Sequence, residues 1–254
     1  MWRIFIMFLR LVRQLGIHHL PRCCALCTCT LEKNNYHHHA HDIDLCDFCS
    51  SKFFHPHAFR CTVCANKLNH HHIAQHCGKC LAQPPAFDMT LVVTDYVAPF
   101  NTLIHALKFQ HQLALAPLFA HLLAQTWQQS ISTQADFIIP IPLSAQRLRE
   151  RGFNQSLEIA KPLAKHLQLP LHSSLTLRIR HTQAQSSLAF NKKKNNLRGA
   201  FIIPNSSGAL KNKHVIVIDD VMTSGHTVNE FAACLKRHGA ARVTNLIFAR
   251  TIAH

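Results

Sequence analysis

Eight of the eleven cysteines stand in four Cys-x-x-Cys pairs: Cys24/Cys27, Cys46/Cys49, Cys61/Cys64 and Cys77/Cys80. Two intervening residues make a tight turn that aims both sulfurs at one tetrahedral centre, and two such turns complete a Zn²⁺ shell. A lone pair would read equally well as a redox dithiol, whereas four in succession predict two structural zincs. Pairing in chain order leaves 18 residues between the first two pairs and 12 between the last two. Interleaved pairing, first with third and second with fourth, is the alternative; sequential pairing closes shorter loops and costs less chain entropy. Cys23 and Cys29 are spare thiols beside the first knuckle. The histidines at 37–39, 41 and 70–72 read as solvated loop residues, because four thiolates already fill a structural site.

A second constellation lies near the other end of the chain. The apolar run Val215-Ile216-Val217-Ile218 leads into Asp219-Asp220, then Val221-Met222-Thr223-Ser224-Gly225-His226-Thr227 and a helical pattern. Adjacent carboxylates at a strand end suit the two vicinal hydroxyls of a ribose, each oxygen accepting one hydrogen bond. The Thr-Ser-Gly-His-Thr turn suits a phosphate, since backbone N–H groups, hydroxyls and a helix N-terminus all favour an anion. Gly225 permits close backbone approach. Carboxylates and a phosphate cradle so close together describe a sugar phosphate.

Four strands are predicted to carry these groups: Thr90–Tyr96, Phe137–Pro142, His214–Asp219 and Val243–Ala249. Helical spacing of apolar residues covers Leu113–Gln129, Gln155–Leu167 and Thr227–His238. This alternation predicts an α/β fold with a mostly parallel sheet flanked by helices, whose ligands bind at the carboxyl ends of the strands. Pro84-Pro85 reads as a linker. The expected organisation is an amphipathic segment over 1–20, a double zinc ribbon over 21–85 and an α/β domain over 86–254, the last two with separate cores.

Composition supports that division. Apolar residues make up 48% of 254, enough for a core, and no uncharged apolar run reaches membrane-spanning length. The first apolar stretch is short and ends at Arg10 with no small-residue cleavage site after it, so a cytoplasmic setting with reduced thiols is expected. Of the net charge of +15, residues 90–254 carry +11 and residues 21–89 only +1. Polyanionic partners are therefore expected for the α/β domain rather than for the ribbons.

The Asp219–Thr227 segment resembles the phosphoribosyl pyrophosphate (PRPP) motif of type I phosphoribosyltransferases. Four further stretches narrow the resemblance to the ComF family, competence-associated proteins with a double zinc ribbon before a phosphoribosyltransferase-like domain. They are Leu103 to Phe109; Pro140 to Leu143 continuing through Arg147, Arg149 and Arg151 to Gln155; Arg178 to Gln185; and Asn195 to Phe201. One departure is His226, where the family commonly has a small residue. The resemblance implies that Asp219 and Asp220 hold the ribose hydroxyls and that Thr223, Ser224, Gly225, His226 and Thr227 hold the 5′-phosphate. It further implies that Arg147, Arg149 and Arg151 face the pyrophosphate, and that Arg180, Thr182 and Gln185 belong to a loop closing on substrate. Mg²⁺ would arrive with PRPP.

Nothing in the sequence identifies the acceptor of a phosphoribosyl group. Three functions are compatible with the motifs. One is a phosphoribosyltransferase of unknown acceptor. Another is a PRPP-responsive accessory of DNA processing in natural transformation, contacting single-stranded DNA through Lys192-Lys193-Lys194 and Arg198. The third is a scaffold whose ribbons dock a helicase or another competence protein.

Overall fold

A computed structural model describes residues 22–31, 45–53, 59–68, 75–130, 134–180, 199–204 and 208–251. The amphipathic segment expected over 1–20, both histidine clusters, Thr182, Gln185 and the Lys192–Arg198 stretch lie outside the described residues. The chain divides into two compact units, Met1–His55 and Pro56–His254.

In the first unit, β1 (Arg22–Cys23) pairs antiparallel with β2 (Thr30–Leu31), and α1 covers Asp47–Phe53. The hairpin is closed by Thr28 N–H donating to Cys24 O at 2.8 Å.

The second unit opens with another knuckle, bridged antiparallel between Arg60 and Lys67, followed by α2 (Gly78–Ala82). The chain then builds β3 (Met89–Asp95), α3 (Phe100–Phe109), α4 (Leu115–Ser130) and β4 (Phe137–Pro140). Next come α5 (Ala145–Arg151), α6 (Gln155–Leu167) and the short antiparallel pair β5 (Leu177–Arg178) and β6 (Phe201–Ile202). It ends with β7 (His214–Met222), α7 (His226–Arg237) and β8 (Arg242–Arg250). The four long strands form one parallel sheet in the order β3-β8-β7-β4. The α/β class expected from strand–helix alternation is thus the observed one.

Val215–Ile218 of β7 and Leu246–Ala249 of β8 are continuous apolar runs because both faces of a parallel sheet are covered. Alternate side chains separate the faces. Val92, Ile139, Val215, Val217, Val243 and Ile247 pack with Val228, Phe231 and Leu235 of α7. Phe248 points the other way and stacks on Phe119 of α4, with ring centroids 3.7 Å apart.

The second knuckle does not have a core of its own. Cys61, Cys64, Ala65 and Cys80 are buried in the same cluster as Val92, Ile139 and Ile247, and Cys61 is fully enclosed. Thr62 O accepts from Thr90 N–H at 3.2 Å, tying the knuckle to β3. Beyond Pro84-Pro85, Ala86 N–H donates to Asn229 Oδ1 at 2.7 Å, and Phe87 is buried. The separate core expected for the ribbons therefore does not apply to the second one. An apolar sheet face nearby offers more burial than a small ribbon can supply by itself.

Candidate sugar-phosphate site and cysteine clusters

The acidic pair lies at the carboxyl end of the sheet, where one neighbour stops and the other continues. Pairing of β4 with β7 ends at Pro140–Ile218, whereas β8 pairs with β7 out to Met222–Arg250. Strand β7 therefore runs three residues past Asp219, longer than its sequence suggests, and its acids are open on the β4 side. Asp219 accepts from Ser156 Oγ at 2.9 Å and from Asp220 N–H at 3.0 Å. Asp220 meets Lys108 Nζ at 2.5 Å and lies 3.4 Å from Gln155 Nε2. Burial and the adjacent Asp220 push the Asp219 carboxyl up to about 7, against the opposing pull of Lys108 and Ser156.

Local sequence explains these placements. Asn154 caps α6, accepting from Ser156 N–H at 3.1 Å, while its amide donates to Ile141 O at 3.0 Å. That double tie sets the first turn of α6, with Gln155 and Ser156, beneath the acids. After β7, Thr223 and Ser224 are exposed, and Gly225 at φ +81° caps α7. A Cβ there would come within 2.7 Å of Met222 Cε. His226 and Thr227, both half-buried, form the first turn of α7.

Arg151 and Arg178 interact electrostatically with the acids. Arg151 is half-buried, bonded to Gln155 Oε1, with its guanidinium 5.2 Å from the Phe109 ring centroid. Burial disfavours its charge while Asp220 and Asp219 favour it. Burial also opposes the charge on Arg178, as does Arg147, with Asp219 compensating. Arg149 is exposed on α5, and Arg180 is exposed just beyond β5. Sequence reasoning assigned no role to Lys108, Gln155, Ser156 or Arg178. For Lys108 a signal existed: it is the only Lys or Arg between Lys79 and Arg147.

The cysteines assemble as two groups of four in chain order, Cys24/Cys27/Cys46/Cys49 and Cys61/Cys64/Cys77/Cys80. Within each group the sulfurs lie within 4.8 Å of one another.

Residues 107–252 match the phosphoribosyl transferase domain family. Competence protein F of Haemophilus influenzae is 32% identical over 187 residues, covering 72% of this chain and 81% of that protein. DNA utilization protein YhgH of Escherichia coli strain K12 is 32% identical over 237 residues, covering 92% and 99%. This chain belongs to the ComF family. Competence protein ComFC of Bacillus subtilis is 27% identical over 216 residues, covering 83% of this chain and 85% of that one. Among solved structures, glutamine PRPP amidotransferase from B. subtilis overlaps 53% of this chain and 26% of its own, with TM-score 0.36 and 17% identity.

The four-thiolate groups of this ComF protein fit structural zinc. Backbone N–H groups aim at the sulfurs as expected for metal-bound thiolates: Cys49 N lies 3.4 Å from Cys46 Sγ, and Cys77 N lies 3.3 Å from Cys61 Sγ. Cys29 Sγ lies 3.3 Å from Cys27 Sγ, a fifth sulfur beside the first group. Cys234, by contrast, is buried on α7 with its thiol 3.4 Å from Phe201 O, a packing role. Asp136 and Glu158 are likewise structural: Asp136 binds Lys213 and His214 N–H, and Glu158 pairs with Lys161 at 2.7 Å. Among the described residues, no helix is long and apolar enough to cross a membrane.

Proposed function

We propose that this ComF protein binds PRPP with Mg²⁺ at Asp219–Thr227 and serves the handling of incoming single-stranded DNA in natural transformation. The observation that carries the first part is one half-buried and one buried carboxylate at a sheet end, followed after four intervening residues by a glycine-capped helix N-terminus. On this reading Asp219 and Asp220 accept hydrogen bonds from the ribose hydroxyls. The Thr223–Thr227 turn takes the 5′-phosphate through backbone N–H groups, and Arg151 and Arg178 face the pyrophosphate as planar, bidentate donors. The carboxylates also suit the Mg²⁺ that accompanies PRPP, whose charge would neutralise the departing pyrophosphate.

If the site is catalytic, the C1–O bond to pyrophosphate breaks, the electron pair leaves with pyrophosphate, and a nitrogen nucleophile attacks C1. Stabilisation is then electrostatic and positional. A PRPP sensor would share every binding contact and release no pyrophosphate. Calorimetric titration of Mg²⁺–PRPP into wild type and the D219N/D220N double variant tests the binding. Equal affinity would overturn it, and pyrophosphate release with candidate acceptors separates enzyme from sensor.

The DNA part draws on the names of the relatives, a DNA utilization protein and competence proteins. It also draws on exposed Phe109, whose ring stands 4.9 Å from His105 and carries Arg151. A partly exposed ring beside an arginine suits base stacking. A cytoplasmic setting, where paired cysteines are kept reduced and free to hold metal, is part of this reading.

A further inference from the structure

Arg250 is the last residue of β8, and it is 5% exposed. Its Nε donates to Cys64 O at 3.1 Å, within the second cysteine group. Its Nη1 donates to Met222 O at 2.9 Å and also to Thr223 O. One buried guanidinium thus grips a zinc-knuckle carbonyl on one side and the entrance to the phosphate turn on the other. Thr251 N–H adds a bond to Met222 O at 3.1 Å, so two consecutive residues hold that entrance.

Burial disfavours the charge on Arg250, as does Arg60, while Cys64 and Cys77 favour it. Arg60 is itself engaged with Asp95 at 2.9 Å, and Lys67 shares that carboxylate at 2.6 Å. Four thiolates around one Zn²⁺ leave a net negative centre next to the guanidinium, whereas four neutral thiols leave none. A buried cation needs such a partner. The fork geometry matters as well, because a guanidinium presents several donors in one plane and an ammonium is a single point.

Resting on the PRPP reading above, we propose that Arg250 is a positioning residue through which the metal-filled second cysteine group holds the Thr223–Thr227 turn in its phosphate-binding shape. Phosphate affinity then depends on the second metal, although neither the metal nor Arg250 touches the ligand. The effect is local to one end of PRPP, since the arginines proposed for pyrophosphate belong to α5 and β5.

The test uses the full chain and two probes, ribose 5-phosphate and Mg²⁺–pyrophosphate, each titrated calorimetrically. Wild type must bind ribose 5-phosphate; if it does not, the PRPP reading itself fails and the relay falls with it. In R250Q, ribose 5-phosphate affinity should drop about tenfold or more, as expected when a network of charged hydrogen bonds is removed. Pyrophosphate affinity should stay within about twofold of wild type. A lowered melting temperature with both affinities unchanged, or with both lowered alike, would reduce Arg250 to a structural residue. R250K keeps the charge and loses the fork, so full recovery of ribose 5-phosphate binding would overturn the positioning role. R250K also serves alone, against the same two probes, if R250Q does not fold. Removing the second metal with C77S should lower ribose 5-phosphate affinity selectively. The C77S/R250Q double variant should lose no more than the worse single variant, because both act through one relay. Additive losses would break the proposed link.

Discussion

Lys108 Nζ sits 2.5 Å from Asp220 Oδ2, and that carboxylate is only 3% exposed. The pair joins α3 to β7 across 112 positions of sequence and supplies a cation that the acidic motif itself lacks. Truncating one partner leaves the other charge buried. K108M should therefore destabilise the fold by about 3 kcal/mol in urea melts. Added Mg²⁺ should recover part of that loss in the variant by replacing the missing positive charge. An unchanged melt would mean that the ion pair has no energetic weight.

A carboxyl raised in the folded state holds a proton that the unfolded chain has already released. Between the unfolded value near 3.8 and about 7, Asp219 binds more protons folded than unfolded, so its contribution to stability falls as pH rises. D219N cannot titrate and should gain stability relative to wild type between pH 5 and pH 8. Urea melts at the two pH values decide it. If the charged form is the ribose acceptor, PRPP affinity of wild type should rise over the interval from pH 6 to pH 8.

Gly225 has φ +81°, where a side chain costs about 1–2 kcal/mol. The contact with Met222 Cε is the end of a flexible side chain and can yield, so the backbone strain dominates. G225A should lower the melting temperature modestly and weaken ribose 5-phosphate binding. Unchanged binding would place the phosphate elsewhere.

Metal analysis should return about two zincs per chain, one for each four-thiolate group. C24S should remove one and leave the unfolding transition of residues 56–254 unchanged, since the first group belongs to the other unit. C61S should remove one and lower that transition, because Cys61 is fully buried in the core of the sheet. Equal effects of the two substitutions would contradict the packing described for the second knuckle.

Mixed salt titrations address the nucleic-acid reading. Two to four phosphate contacts predict a log–log slope of roughly −1.5 to −3 for single-stranded DNA. F109A should weaken binding without changing that slope, because stacking releases no counterions. A changed slope with intact affinity would move the contact away from the ring.

The sequence alone determined the features that depend on neighbours in the chain. Cys-x-x-Cys spacing dictated turns that gather sulfurs, and loop length favoured the sequential grouping that the structure adopts. Apolar runs dictated four strands and their helices to within a few residues, because period and propensity act locally. Val215 to Thr227 carried its strand, acids, turn and helix start in one continuous stretch. Only the tertiary structure decided what faces those acids. Lys108 and Ser156 reach Asp220 and Asp219, and Arg178 comes under the charge of Asp219, through sheet order and through the early end of β4, and no local pattern encodes either. The same holds for Arg250 between Cys64 and Thr223. A short cysteine knuckle buries too little by itself, so its place was set by the apolar sheet face that completes its core.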